Sequence, residues 1–197
     1  MNSTTRRRVN AERKAEYHFT NLIVEAKPLP TWEGRVEQAS AWYPDEYTYC
    51  TGVARAADIG VREVAAYYAA TSPRQRLAQN KVLTLQAALN WGKVEALPNV
   101  VETCARIYAY ACANKDPVDA VSGRKTRNFA LALLGDPEAV VVDVWMMRAA
   151  GWPDRDAPTK IQYDAIERVI RRMAGKMGLE PRTLQALIWI IKRGGAA

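Results

Sequence analysis

One lysine and one aspartate of this sequence stand in settings that suit chemistry. Lys125 follows a glycine turn and opens a helical stretch, where the helix dipole disfavours a cation. Asp143 lies between the apolar segments 140–142 and 144–147, so its carboxylate either caps a helix or lies in an apolar pocket. A lysine amine can act as a nucleophile and form a Schiff base, and a carboxylate can stabilise a developing positive charge. A solvated lysine and a purely capping aspartate are the simpler alternatives, and both stay open.

The elements that must position these two residues are predicted to be helices. Apolar residues recur at helical spacing along most of the chain, and no segment shows convincing two-residue alternation. The pattern predicts an all-α fold of nine or ten helices. Ser72-Pro73 predicts the start of one helix. Thr159 predicts the start of another, which ends at Gly178.

The predicted organisation is a single domain with two helical lobes. A chain of 197 residues fits one domain or two fused lobes. Residues 1–10 are polar and basic and are expected to form a flexible tail before a domain that spans 11–197. Within that domain, we expect 61–140 to form one lobe and 11–60 with 141–197 to form the other.

The charge distribution points to a polyanionic partner. The net charge is +7, and residues 61–135 carry +5 while residues 161–197 carry +4. Basic segments separated by acidic ones suit a surface that faces nucleic acid, so DNA is the expected partner. No apolar run approaches the roughly 20 residues that span a bilayer, and none follows Arg6-Arg7-Arg8 as in a secretory signal. We therefore expect a cytoplasmic protein with no membrane partner, in the host cytoplasm if a bacteriophage encodes it.

Metal and cofactor chemistry finds little support in the composition. The three cysteines form no CxxC pair, which argues against a structural zinc or iron–sulfur site and for a reducing compartment. His18 is the one histidine, and it is expected to be an ordinary helix residue rather than a ligand or a triad member. The prediction is a protein without metal or cofactor.

The segment that carries Lys125 and Asp143 resembles the helix-hairpin-helix DNA glycosylase superfamily. Gly123-Arg124-Lys125-Thr126 looks like the end of the family's hairpin, and 142–148 looks like its aspartate motif. Asp143 follows Lys125 by 18 residues, as in family members that use both groups. Weaker similarity in the flanks, at 70–80 and 173–189, extends the resemblance over roughly residues 60–192.

This resemblance implies a two-lobed helical fold and a DNA N-glycosylase that acts, as a monomer, on a base flipped out of DNA. It implies Lys125 as the nucleophile, with AP-lyase activity through a Schiff base, and Asp143 as the essential carboxylate. The other predicted site residues are hairpin and helix-start residues that contact DNA (Ser122, Gly123, Arg124, Thr126, Arg127, Arg74 and Gln75) and aromatic residues that line a base pocket (Trp145, Tyr163 and Trp189).

The sequence departs from the family pattern at three points. Val121 replaces one hairpin glycine, Trp145 stands where a histidine is often found, and the four-cysteine iron–sulfur loop is absent. In these respects the chain looks like the glycosylase-fold proteins of bacteriophages, some of which serve thymine hypermodification. Hypermodification on the same fold is therefore one alternative, and a non-catalytic helix-hairpin-helix DNA-binding module is the other.

Overall fold

The computed structural model describes residues 3–93 and 101–194, and the regular structure in these ranges is helical. The α-helices are α1 (Ser3–Ala26), α2 (Trp32–Ala57), α3 (Val61–Thr71), α4 (Leu77–Leu89), α5 (Val101–Cys112), α6 (Arg124–Leu133), α7 (Val144–Ala149), α8 (Lys160–Met177) and α9 (Pro181–Arg193), and Pro117–Ala120 is a 3-10 turn. No β-strand occurs among the described residues, so the all-α prediction is confirmed.

The chain divides into two compact units. Unit 1 joins Met1–Trp42 to Pro137–Ala197, and unit 2 is the intervening Tyr43–Asp136. The lobes expected from the sequence divide after residues 60 and 140, whereas the units divide inside α2 and just before Pro137. A boundary inside a helix leaves no loop signal in the sequence.

In unit 1, α1 packs along α8, and α9 packs against both α7 and α8. Residues Ala11, Ala15, Phe19 and Ile23 recur every four positions along α1 and are buried, so one face of this helix contributes to the core. The helix begins at Ser3, so the expected tail over 1–10 is wrong for its described residues. Once the buried turns have formed, adding helical residues at the end costs little, and arginine has a high helix propensity.

In unit 2, α3 is the central helix and packs against α4, α5, α6 and the 3-10 turn. Every residue of α3 from Val64 to Thr71 is buried. Tyr67 and Tyr68 are its largest buried side chains. This helix therefore fixes the positions of the elements that carry Arg74 and Lys125.

The helix α2 continues through Pro44, where the sequence predicts a break or a new start. A proline inside a helix lacks the N–H that bonds to the carbonyl four residues earlier, and its ring crowds that carbonyl. Apolar side chains on both sides of Pro44 are buried, with Ala39 and Tyr43 before it and Cys50 and Val53 after it. Their burial offsets the lost backbone hydrogen bond.

Candidate active site

Asp143 is the N-cap of α7, and both of its carboxylate oxygens accept hydrogen bonds. Its Oδ1 accepts from the backbone N–H of Met146 at 2.9 Å, and its Oδ2 accepts from the indole Nε1–H of Trp189 at 3.0 Å. The residue is half-buried and follows a buried apolar segment, 139–142. The structure therefore confirms that Asp143 caps a helix, and a second donor, the Trp189 indole of α9, binds its other oxygen.

Trp189 lies beside this carboxylate, and two other side chains of unit 1 pack against its ring. Its ring packs against Trp42 with the centroids 5.9 Å apart, and the Arg193 guanidinium lies 4.8 Å from the Trp189 ring centroid. The sequence-based prediction placed Trp189 in a base pocket. The structure places its polar edge on Asp143, and its role in a base pocket stays a prediction.

Tyr163 has a structural position that does not suit a base pocket. Its ring is buried, and its hydroxyl donates to the carbonyl of Val140 at 3.1 Å and accepts from the Val142 N–H at 3.4 Å. These bonds hold the extended segment that leads into Asp143. With Tyr163 only 5% exposed, its ring offers almost no surface on which a base could stack.

Trp145 remains available as an aromatic surface in unit 1. It is half-buried, and the Arg148 guanidinium lies 4.7 Å from its ring centroid. An arginine stacked on a tryptophan keeps a flat, positively charged surface at one side of the ring. This arrangement is compatible with base stacking on the exposed part of Trp145.

Lys125 is the second residue of α6 and is half-buried. No described residue forms an ion pair with it. One turn further along the same side of the helix, Phe129 is buried and packs on Tyr68 with ring centroids 5.7 Å apart. The half-buried position of Lys125 leaves both interpretations of this residue, solvated or catalytic, as predictions.

A glycine turn places Lys125 at the helix start, as the sequence predicts. Gly123 is the N-cap of α6 with φ +86° and ψ 137°, a backbone conformation that is available almost only to glycine. A Cβ on Gly123 would have room, since Thr126 Oγ1 at 3.9 Å is the nearest atom. The backbone conformation, and not crowding, is thus what requires glycine at this position.

The 3-10 turn Pro117–Ala120 comes before this glycine turn, and Asp116 is its N-cap. Asp116 caps the 3-10 turn by accepting from the Val118 N–H at 3.0 Å, and it also pairs with Arg62. Burial acts to raise the pKa of Asp116, but the hydrogen bonds from Arg62 and from the Val118 amide outweigh it and lower that pKa. These bonds hold the 3-10 turn Pro117–Ala120 in place before the glycine turn.

Two of the predicted DNA-contact side chains already have protein partners. Arg127 pairs with Asp119 at 2.7 Å, and Ser122 Oγ accepts from Arg106 at 2.9 Å. All four residues are at least partly exposed, so these contacts connect the start of α6 to the 3-10 turn and to α5 on the surface of unit 2.

Arg74 and Gln75 lie in a turn and not in a helix. The Gln75 N–H bonds to the Ser72 carbonyl at 3.2 Å, Arg74 has φ +63°, and α4 begins only at Leu77. The Ser72-Pro73 helix start is therefore wrong. Ser72 Oγ instead donates to the carbonyl of Ala69 and helps to end α3. A non-glycine residue at positive φ stores strain, and such strain is concentrated at functional sites.

The basic surface expected over 161–197 is largely neutralised along α8. Arg168 Nε lies 2.7 Å from Glu12 Oε1, and Arg172 Nη2 lies 2.8 Å from Glu16 Oε2. These pairs join α8 to α1, and their formation could not be read from either segment alone. In unit 2, by contrast, Arg74 and Arg76 are exposed and pair with no carboxylate of the described chain.

Sequence reasoning missed a buried polar cluster in unit 2. The Glu46 carboxylate is buried, accepts from the Tyr68 hydroxyl, and pairs with Lys81 Nζ at 2.8 Å. Burial, helped by the Glu46 charge, raises the pKa of Cys50 to about 12. Lys81 neutralises the buried charge of Glu46, so the cluster is a stable part of the core of unit 2. No local sequence signal marks it, because its members come from three helices.

No described group of three or more His, Cys, Asp and Glu side chains is arranged to hold a metal ion. His18 is half-buried and contacts the Tyr17 ring edge-on, with the centroids 5.3 Å apart. Among the described helices, none is long and apolar enough to cross a membrane.

Comparison with known proteins places the chain in a family whose function is open. No curated protein and no solved structure matches it. The family of unknown function DUF7178 matches over residues 12–196, nearly the whole chain, and the protein belongs to that family.

Proposed function

We propose that this protein is a DNA N-glycosylase that acts on a base flipped out of DNA, with Asp143 as the catalytic carboxylate and Lys125 as the nucleophile. The observation that carries the proposal is the setting of Asp143. A half-buried carboxylate at a helix start, with donors on both oxygens, is preorganised more strictly than a helix cap requires.

The chemistry proposed for Asp143 is electrostatic. Cleavage of a glycosidic bond leaves positive charge on the sugar, and a fixed carboxylate beside that charge lowers the barrier. Both hydrogen bonds hold the carboxylate in place before the reaction, so no reorganisation is needed when the charge develops. The same oxygen atoms can orient or deprotonate the attacking group.

The chemistry proposed for Lys125 is covalent. Its amine attacks the anomeric carbon, the base leaves, and the opened sugar remains bound through an imine. A lysine must be neutral to attack, and Lys125 is half-buried with no ion-pair partner among the described residues. The spacing to Asp143 and the preceding Gly123 support the assignment, as in the lysine-using members of the superfamily that the sequence resembles.

The remaining roles follow from exposure and charge. The backbone N–H groups after Gly123 are proposed to bind a DNA phosphate, which positions the strand without reading its sequence. Arg74, raised on a strained and exposed turn, is proposed to fill the gap that the flipped base leaves. Trp145 is the proposed stacking surface for the base. We expect a cytoplasmic monomer that needs no cofactor.

The test is borohydride trapping on a duplex with one abasic site. Borohydride reduces an imine between protein and sugar to a stable adduct that migrates as a larger species on a denaturing gel. The wild-type chain should give this adduct, and Lys125→Gln should not. Lys115→Gln, which removes a lysine from the same unit, is the matched control and should trap normally.

Other outcomes separate the alternatives. An adduct that survives Lys125→Gln would move the nucleophile to another amine, such as the N-terminus. Base release from a duplex with one modified base, without any adduct on the abasic duplex, would keep the glycosylase and make water the nucleophile. DNA binding with neither adduct nor base release would instead favour the hypermodification enzyme or the non-catalytic binding module.

A further inference from the structure

The indole of Trp189 is the second anchor of the proposed catalytic carboxylate. Its Nε1–H donates to Asp143 Oδ2 at 3.0 Å, while the cap bond from Met146 occupies Oδ1 at 2.9 Å. The two donors come from α7 and α9, two helices that pack on each other in unit 1. From this geometry we infer that Trp189 is a positioning residue for Asp143, an inference that rests on the proposed function.

A cap alone restrains the carboxylate only loosely. With a single hydrogen bond at Oδ1, the group can still swing within the range of distances and angles that this bond tolerates, and Oδ2 moves with it. The indole donor removes that freedom, because Oδ2 is then held from a second helix. Electrostatic stabilisation depends on groups already aimed at the developing charge, so a fixed Oδ2 matters more for reaction than for folding.

The indole is itself held on its ring. Trp42 packs against it with the centroids 5.9 Å apart and the planes tilted by 57°, and the Arg193 guanidinium lies 4.8 Å from the ring centroid. Arg193 follows Trp189 by one helical turn, so the stacked cation belongs to the same helix. A packed ring with a stacked arginine keeps the N–H aimed at Asp143.

The experiment uses two duplexes that need no knowledge of the natural base. One contains a pyrrolidine in place of the target sugar, whose protonated ring nitrogen places a positive charge where charge develops in the reaction. The other contains an uncharged tetrahydrofuran. The ratio of their dissociation constants measures how well the protein stabilises that charge, and transition-state analogues bind about 100-fold or more tightly than substrates.

The expected results rank three variants. Asp143→Asn should abolish the preference for the pyrrolidine duplex, and Trp189→Phe should reduce it about tenfold, since a hydrogen bond to a charged group is lost. Affinity for the tetrahydrofuran duplex should stay unchanged in both variants. Trp152→Phe is the matched control, because Trp152 is also half-buried in unit 1 but does not bond to Asp143, and its ratio should equal that of the wild type.

A second readout does not depend on DNA. In a ¹H–¹⁵N spectrum of the free protein, the indole resonance of Trp189 should move when Asp143 is replaced by asparagine. An unmoved resonance, or a Trp189→Phe protein with the full preference, would overturn the inference while the glycosylase proposal stands. A wild-type chain without any preference for the pyrrolidine duplex would instead overturn the proposed role of Asp143, and the role of Trp189 with it.

Discussion

Replacing Asp143 by asparagine or by alanine separates its structural role from its proposed catalytic role. The carboxylate accepts two hydrogen bonds, one from the Met146 amide and one from the Trp189 indole. An asparagine side chain has one acceptor oxygen, so it can keep only one of them. An alanine side chain keeps neither, and it leaves the half-buried indole N–H without its protein partner.

The magnitudes follow from those bonds. Loss of one hydrogen bond in Asp143→Asn should lower the free energy of unfolding by about 1 kcal/mol. Asp143→Ala loses the cap as well, which costs about 0.5–2 kcal/mol, so its total should be about 2 kcal/mol. Both variants lack the charge, so both should lose about 100-fold or more in the rate of base release.

The assay pairs denaturant unfolding, followed by circular dichroism, with single-turnover base release on a duplex that the wild type processes. Thr159→Ala is the control for capping, because Thr159 caps α8 in the same unit through a capping box. It should lower stability by about 1 kcal/mol and leave the rate unchanged. Rates that follow stability across the three variants, or full activity in Asp143→Asn, would refute the catalytic role.

Three further results are expected. DNA affinity should fall with salt by about −0.9 in log–log slope for each phosphate that a cation of the protein neutralises, and Arg76→Ala should make the slope shallower by about 1; a flat response would contradict DNA binding. In the native protein a thiol reagent should modify Cys112 first, because Cys112 is exposed whereas burial raises the pKa of Cys50 to about 12 and that of Cys104 to about 11. Equal rates at all three cysteines would contradict the described core. Gly123→Ala should lower the free energy of unfolding by roughly 1–3 kcal/mol, because Gly123 has a positive φ. Gly175→Ala, inside α8, should not destabilise the protein, and equal effects of the two substitutions would contradict the turn geometry.

Local signals in the sequence predicted the parts of the fold that local physics controls. Thr159 caps α8 and Gly178 ends it in the left-handed conformation, as the cap pattern indicates. Gly123 and Asp143 likewise stand at helix starts. In each case a side-chain oxygen or a glycine backbone satisfies groups within a few residues, so the interaction is visible in a short window of sequence.

The features that the sequence did not reveal depend on residues far apart in the chain. Trp189 lies 46 residues from Asp143, and the bond between them requires α7 and α9 to pack. The Arg168–Glu12 pair, which helps to neutralise the expected basic surface, likewise requires α8 to pack along α1. The prediction that Ser72-Pro73 starts a helix was wrong for a local reason. Ser72 donates to the carbonyl of Ala69 at the end of α3 and does not cap a following helix.

Release of a free base from DNA is the most direct test of the proposed function. The intact chain is incubated with duplexes that each contain one modified base, and the released base is identified by its mass. The proposal predicts a free base from at least one duplex, abolished in Asp143→Asn and retained in Thr159→Ala. Strand products that still carry every base after incubation with a folded, DNA-binding protein would contradict it.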